Sequence, residues 1–444
     1  MPSPSSTIQA NMLIELAVAN FRSIRDEQRL TLVAGREKTL WDTNVFEPEQ
    51  PNGKKRIRLL CSAALYGPNA SGKTNLVRAL VTMRRMVLES QQRIGQLPME
   101  PFLFDPETRA QPTLLEVIIM VEGVRYQYGF SATAERIHDE WLFAFPRGRA
   151  QRWFEREFHA DGERDEFSFG GRLTGGKEVW RQATRPDALF LSTAVQLNSQ
   201  QLLPLFRWFE DKLRVVGING WPPNLSLEWC QDDGKQRVLK FLQAADFAIS
   251  DLQVQNQDDR LDVVYLPNDR PSQVRQLRFQ LFPDLNKGEQ GMDYRLITVH
   301  QTSDGRQIEL DMGNESNGTQ KMFSLAAPWL SVLEHGRVQF VDELHDNLHP
   351  LLVQFLVRLF HSPETNPKGA QLVFTTHETS ILDNENLRRD QIWFFERDKE
   401  QATRLYPLTR FKRPKGIANL EQDYLVGGYG AVPFLRNPSR IFED

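Results

Sequence analysis

The chain has 444 residues, 40% of them apolar and 25% charged, with a net charge of −4. This is the composition of a folded globular protein with room for two or three domains, or for one domain with a large insertion. No apolar run reaches the 18 or so residues of a membrane span, the acidic balance excludes a globally basic nucleic-acid binder, and Cys61 and Cys230 are too few for a disulfide framework and suit a reducing cytosol.

Residues 1–7 are rich in Pro and Ser without an apolar core behind a basic start, so they are read as disordered and not as a signal peptide. Residues 13–21 alternate as a strand, and 29–33 are its expected hairpin partner. Residues 47–58 form a polar loop. Its cluster of Lys54, Lys55, Arg56 and Arg58 reads more readily as a solvated loop than as a nucleic-acid site. Residues 59–65 are an apolar run that predicts a buried strand.

That strand runs into Gly67-Pro68-Asn69-Ala70-Ser71-Gly72-Lys73-Thr74, which meets every fixed position of the phosphate-loop pattern G-x-x-x-x-G-K-[ST]. Leu76, Leu80, Met83 and Val87 follow at helical spacing. Strand, glycine loop and helix are what the motif needs. The loop N–H groups face phosphates, Lys73 supplies positive charge, and the Thr74 hydroxyl can bind Mg²⁺.

From 113 to about 171 the pattern changes to alternating strands with turns, an antiparallel meander. Arg147, Arg149, Arg152, Trp153, Phe154 and Arg156 mix basic and aromatic residues, as nucleic-acid surfaces and half-exposed hairpins both do; the hairpin is the favoured reading. Residues 196–216 and 236–249 read as amphipathic helices, and 261–266, 273–281 and 292–310 as strands. No heptad register is sustained, so no long coiled coil is expected. Residues 338–341 and 371–375 are short apolar runs suited to interior strands, with an apolar helix at 351–360 between them.

Three later stretches carry chemistry. The run 338–341 ends in Asp342 and Glu343: the first can hold Mg²⁺ through water, and the second can orient or deprotonate an attacking water. His377 ends the next apolar strand, where α/β sheets place ligands, although a lone histidine is more often structural. Ser316, Asn317 and Gly318 precede an apolar helix, a pattern shared by an anion site and a plain helix cap.

This order of motifs resembles the ATPase heads of the ABC superfamily, in the RecF/SMC/OLD-like non-transporter branch. Residues 20–24 look like the first strand and turn of those heads, Ser316-Asn317-Gly318 like their signature loop, and Leu348-His349-Pro350 like a D-loop. Residues 315–321, 342–350, 388–394 and 429–434 resemble bacterial abortive-infection ATPases of the AbiL, RloA and PARIS type. The resemblance implies an α/β P-loop NTPase of ABC-head type, with a mixed sheet flanked by helices. Its head would comprise 1–110 and 300–410, interrupted by an α+β insertion at 111–299 for partner binding, with a tail at 411–444 packed on or near the head. It implies ATP and Mg²⁺, catalytic Glu343, His377 and Lys73, and a metal held by Thr74 and Asp342. Nucleotide contacts would come from residues 67–74, Arg22, Ser23, Ser316, Asn317, Gly318 and His349.

Two such heads would close on ATP as a homodimer or higher oligomer in the cytoplasm, each offering Ser316 and Gly318 to the other. The output would be control of a separately encoded effector in phage defence, a TOPRIM-like nuclease being the form the resemblance suggests. The alternatives are a RecF/SMC-like DNA-repair ATPase and an OLD-like nuclease. The interval from Lys73 to Ser316 is short for long arms, and the stretch after His377 is short for a fused TOPRIM domain. Nothing argues for a membrane partner.

Overall fold

The computed structural model describes residues 11–48, 57–216, 222–256, 294–412 and 419–434. Two compact units divide them: one holds Met1–Ile218, Val332–His345 and Leu356–Asp444, the other Asn219–Ser331 and Asp346–Phe355.

Besides a short two-stranded pairing of Val45–Phe46 with Leu59–Leu60, the first unit contains two sheets. One is a six-stranded sheet in the order Leu213–Val216, Val338–Val341, Gln371–Thr375, Ser62–Tyr66, Ile392–Arg397 and Thr403–Pro407. Its first five strands run parallel and the last antiparallel. The 338–341, 371–375 and 62–66 strands are buried at every residue, as continuous apolar runs in a sheet covered on both faces should be. The expected helix over 196–216 is instead a helix at Phe190–Gln196, a second at Leu203–Arg207, a wide turn and the strand Leu213–Val216. Leu213, Val215 and Val216 satisfy a helical pattern locally, but parallel pairing with Val338–Val341 settles their state.

The other sheet has seven antiparallel strands. Strand Met12–Ala19 lies between Gln28–Thr31, its expected hairpin partner, and Thr113–Val121, from which the meander continues to Phe169. A bulge between Leu13 and Glu15 keeps Leu13 on the face of Leu16 and Val18. Strand Thr113–Val121 is thus hydrogen-bonded to the N-terminal strand. Backbone pairing across the sheet ties the two stretches together despite their change of texture.

The helix Lys73–Glu89 shares one buried cluster with both sheets: Leu76, Leu80, Met83 and Val87 pack with Leu16 and Val18 of one and with Ala63, Phe340 and Val373 of the other. Each such side chain contributes roughly 1.5–3 kcal/mol by burial. Gln371, fully buried, accepts from Leu13 N at 2.8 Å and donates to Leu13 O at 3.0 Å, joining the sheets by polar contacts as well.

The described part of the tail packs on this unit. Tyr424 and Tyr429 stack on Phe394 with centroids 5.5 and 5.6 Å away, and the Tyr406 hydroxyl donates to Tyr429 O.

The second unit carries the helices Asn224–Gln231 and Lys235–Ala244 and a three-stranded antiparallel sheet, Asp251–Asn256, Tyr294–Gln301 and Gln307–Asp311. The strands expected at 261–266 and 273–281 lie outside the described residues. Among the described residues no helix is long and apolar enough to cross a membrane. Cys61 and Cys230 are both free and buried.

Candidate nucleotide site

The C-terminal ends of three neighbouring parallel strands meet at one edge, the usual position for ligands in an open α/β sheet. Strand Ser62–Tyr66 ends in the phosphate loop, Gln371–Thr375 in His377, and Val338–Val341 in Asp342 and Glu343.

The loop's glycines are demanded by close approach. Gly72 has φ +106°, and a Cβ there would meet the Thr403 and Ser23 hydroxyls; a Cβ on Gly67 would lie 2.5 Å from Phe395 O. Gly72 caps the helix Lys73–Glu89, and a helix start of this kind, with leading N–H groups free of intrahelical acceptors, is suited to bind phosphate. Lys73 curls back, donating to Gly67 O at 2.7 Å and Pro68 O at 3.0 Å, with His377 Nε2 3.4 Å away. Burial pushes the Lys73 ammonium down to about 8, offset in part by Asp342 and Glu343. Burial, then the charge of Lys73, brings His377 down to about 4, so it is neutral at physiological pH and can accept from the ammonium.

Thr375 organises the acid pair. Its hydroxyl donates to Asp342 Oδ1 at 2.6 Å and accepts from Glu343 N at 2.7 Å. Glu343 sits in the left-handed region at φ +55°, a conformation costing an ordinary residue on the order of 1 kcal/mol and found where a site holds a side chain to one direction. Asp342 is buried, and among the described residues its second oxygen, Oδ2, has no hydrogen-bond partner; neither has Ser71 Oγ. A buried carboxylate oxygen and a buried loop hydroxyl left open at a phosphate loop fit an Mg²⁺–nucleotide. Asp342 and Thr74 would hold the ion, which when bound neutralises phosphate charge. Among the described residues no group of three His, Cys, Asp or Glu is placed to hold a metal by itself.

A relay of hydroxyls braces the loop from behind. Asn75 Nδ2 donates to Ser23 Oγ at 2.7 Å, Ser23 Oγ lies 2.8 Å from Thr403 Oγ1, and Thr403 donates to Ser71 O at 2.9 Å. Ser23 is therefore buried beneath the loop, and Arg22 pairs with Glu100 at 2.7 Å. Thr375, Thr403 and Asn75 escape sequence reasoning because each is an ordinary polar residue whose partner is far away in the chain. Thr375 alone left a trace, as the first of two threonines before His377. His345 is another residue the sequence does not single out: its ring meets that of His377 edge to face at 5.3 Å.

On the open side of the loop, Gly67, Pro68, Asn69 and His377 line a cavity of about 670 Å³ together with Tyr424 and the tail residues Ala431 and Phe434. Phe434 is 93% exposed.

The remaining expected contacts belong to the second unit. Ser316 and Asn317 are exposed at the start of the helix Asn317–His335. Ser316 Oγ accepts from Thr319 N at 3.1 Å, so it caps that helix. Glu315 is held behind it by Thr298 and by His300, whose Nε2 is 2.7 Å from its carboxylate. His349 is exposed and its Nδ1 accepts from Leu351 N, capping the next helix, Pro350–His361.

The family described as "AAA domain, putative AbiEii toxin, Type IV TA system" matches residues 62–383. The chain belongs to this family. The match starts at the strand before the phosphate loop and ends just past His377, so the AAA domain spans the phosphate loop, the acid pair and His377. It is a P-loop ATPase domain. Among solved structures the chain is similar to the SMC head domain from Thermotoga maritima, at 12% identity over 89% of this chain and 98% of that one, with a TM-score of 0.38. It is also similar to the recombination mediator protein RecF bound to ATP, at 13% identity over 84% and 94%, with a TM-score of 0.32. None of the curated proteins matches it.

Proposed function

We propose that this AAA-family chain is an ATP-driven switch: it binds and hydrolyses ATP·Mg²⁺, closes as a pair of heads, and so controls a separately encoded effector in an abortive-infection system. The observation that carries the reading is the acid corner: Asp342 and Glu343 are latched by Thr375 on the strand that delivers His377 to within 3.4 Å of Lys73. Lys73 draws charge from the β- and γ-phosphates, and Glu343 orients the attacking water and takes its proton. Neutral His377 donates or accepts at the γ-phosphate. Exposed Ser316, which caps its helix, and half-buried Gly318 supply a second anion-binding edge, offered to the partner's nucleotide. The family's link to type IV toxin–antitoxin systems supports the abortive-infection setting.

The experiment is purification of the chain alone and together with the product of its neighbouring gene. The lone chain should turn over ATP and leave DNA and RNA intact with Mg²⁺ or Mn²⁺ present, and the pair should form a stable complex. Lys73→Ala should silence the cellular output with the complex still formed. Metal-dependent cleavage by the lone chain, lost on mutating its own acids, would replace this reading with the nuclease one.

A further inference from the structure

A second cavity of the first unit lies away from the nucleotide site. It is an open groove of about 1250 Å³ on the antiparallel sheet, floored by Ile14, Ile118 and Met120. Ile14 and Met120 belong to a small apolar cluster of their own with Met12 and Leu59, so the floor is anchored on packed side chains.

Its walls are basic. Arg36 and Lys38 come from the segment after strand Gln28–Thr31, Arg58 from the approach to the phosphate-loop strand, Arg125 from the strand Val124–Ala132 and Arg147 from the turn after Ile137–Phe145. Arg125 lies opposite Phe145 in the sheet register, which carries Arg147, two residues on, to the same end of the groove. Arg36, Lys38 and Arg147 are exposed, and Arg125 is half-buried. Arg58 is paired with Glu47; the other four form no ion pair among the described residues. Of the two acids in the lining, Glu15 is already paired with Arg29 at 2.7 Å, leaving Asp42.

Four cations facing one concavity, none of them in an ion pair among the described residues, repel one another and hold a local positive potential on a chain whose net charge is −4. Two aromatic rings stand among them. Phe145 carries the Arg125 guanidinium 3.9 Å above its centroid, and Trp41 carries Arg58 at 4.8 Å. A guanidinium held over a ring can still present N–H groups to a phosphate.

We infer that this groove binds the sugar–phosphate backbone of a nucleic acid strand, with Arg36, Lys38, Arg125 and Arg147 on phosphates and with Trp41 and Phe145 as planar neighbours for bases. Cations interleaved with aromatic rings suit a single strand, whose bases are free to stack, better than a closed duplex or a carboxylate-bearing protein surface. The inference does not depend on the ATP-switch reading, because every group it uses lies outside the phosphate-loop strand edge.

The test is fluorescence anisotropy with labelled oligonucleotides of roughly 20 nucleotides as single-stranded DNA, single-stranded RNA and duplex DNA, titrated with the full chain between about 50 and 200 mM salt. Binding to a single strand should weaken with salt with a slope of about −3 on logarithmic axes, as four phosphate contacts require. Arg147→Ala and Lys38→Ala, both at exposed positions, should each reduce that slope by about 1 and weaken binding several-fold, with ATP affinity unchanged. Arg181→Ala, at a surface residue outside the groove, should do neither. No salt-sensitive binding by the wild-type chain, or binding indifferent to both groove variants, would overturn the inference. Polyglutamate competing as strongly as the oligonucleotides would also overturn it, by assigning the groove to an acidic protein.

Discussion

Thr375 and Asp342 sit on adjacent parallel strands, and the Thr375 hydroxyl donates to Asp342 Oδ1 at 2.6 Å while accepting from the next residue's N–H, that of Glu343. One hydroxyl therefore fixes both acids, leaving Asp342 Oδ2 free for a ligand and Glu343 in a conformation it would not hold by itself.

Thr375→Val keeps the strand shape and removes both bonds. We predict a fall in turnover of about 10- to 100-fold with a smaller change in nucleotide affinity, and a stability loss of about 1–3 kcal/mol from the unsatisfied carboxylate. Thr375→Ser should restore most of the turnover. Steady-state ATPase assays and thermal melts decide it; equal rates for the Val variant and wild type would show that the acids are held by other means.

Glu343→Gln preserves size and removes the proposed base. It should bind ATP as the wild type does and hydrolyse it at least 10²-fold more slowly. Lys73→Ala should instead weaken binding itself by roughly 10- to 100-fold, the worth of a charge-assisted phosphate bond. Single-turnover kinetics with a filter-binding assay separate the two, and undiminished turnover by Glu343→Gln would point to a different carboxylate.

The lowered pKa of Lys73 gives ATP affinity a direction with pH. Phosphate binds the ammonium form, which is already present below about 8, so affinity should be flat there. Above that, binding must first take up a proton, and affinity should fall by up to about tenfold per pH unit until the raised pKa of the bound state is passed. His377, down at about 4, stays neutral and adds nothing to this limb. Calorimetry in two buffers of different ionisation heat should detect proton uptake near about pH 9 and none near about pH 6.5. Lys73→Arg should abolish the uptake; if it persists there, the titrating group is another.

Ser316 is exposed and its hydroxyl caps a helix, so Ser316→Arg should add bulk without disturbing the phosphate loop. The variant should bind ATP and hydrolyse little. Mixed with Lys73→Ala, it should regain activity, since each mixed dimer holds one intact composite site. Normal turnover by Ser316→Arg, with no ATP-dependent increase in mass by light scattering, would sink the shared site.

Thr403→Val cuts the relay from Ser23 to the Ser71 carbonyl that braces the loop from behind. It should cost roughly 1–2 kcal/mol of stability and raise the nucleotide Kd several-fold. Nucleotide protection of the melting temperature is the readout, and protection equal to wild type would make the relay incidental.

The sequence by itself determined the phosphate-loop half of the first unit. The phosphate loop, its helix and the two buried strands bearing Asp342, Glu343 and His377 are short-range patterns, legible because a buried parallel strand must be continuously apolar and a phosphate cradle needs glycine at fixed spacing. Tertiary structure alone decided what pairs with what. Residues 213–216 keep a helical pattern until Val338–Val341 offers them a parallel edge, and the stretch from 113 reads as a separate region until its backbone bonds to Met12–Ala19. Ser23, Thr403 and Asn75 become a brace, and Arg36, Lys38, Arg125 and Arg147 one groove, only when chain segments remote in sequence are brought together. A polar side chain declares its own chemistry, but its partner is set by the fold, because hydrogen bonds and charges act over a few ångströms of space and not along the chain.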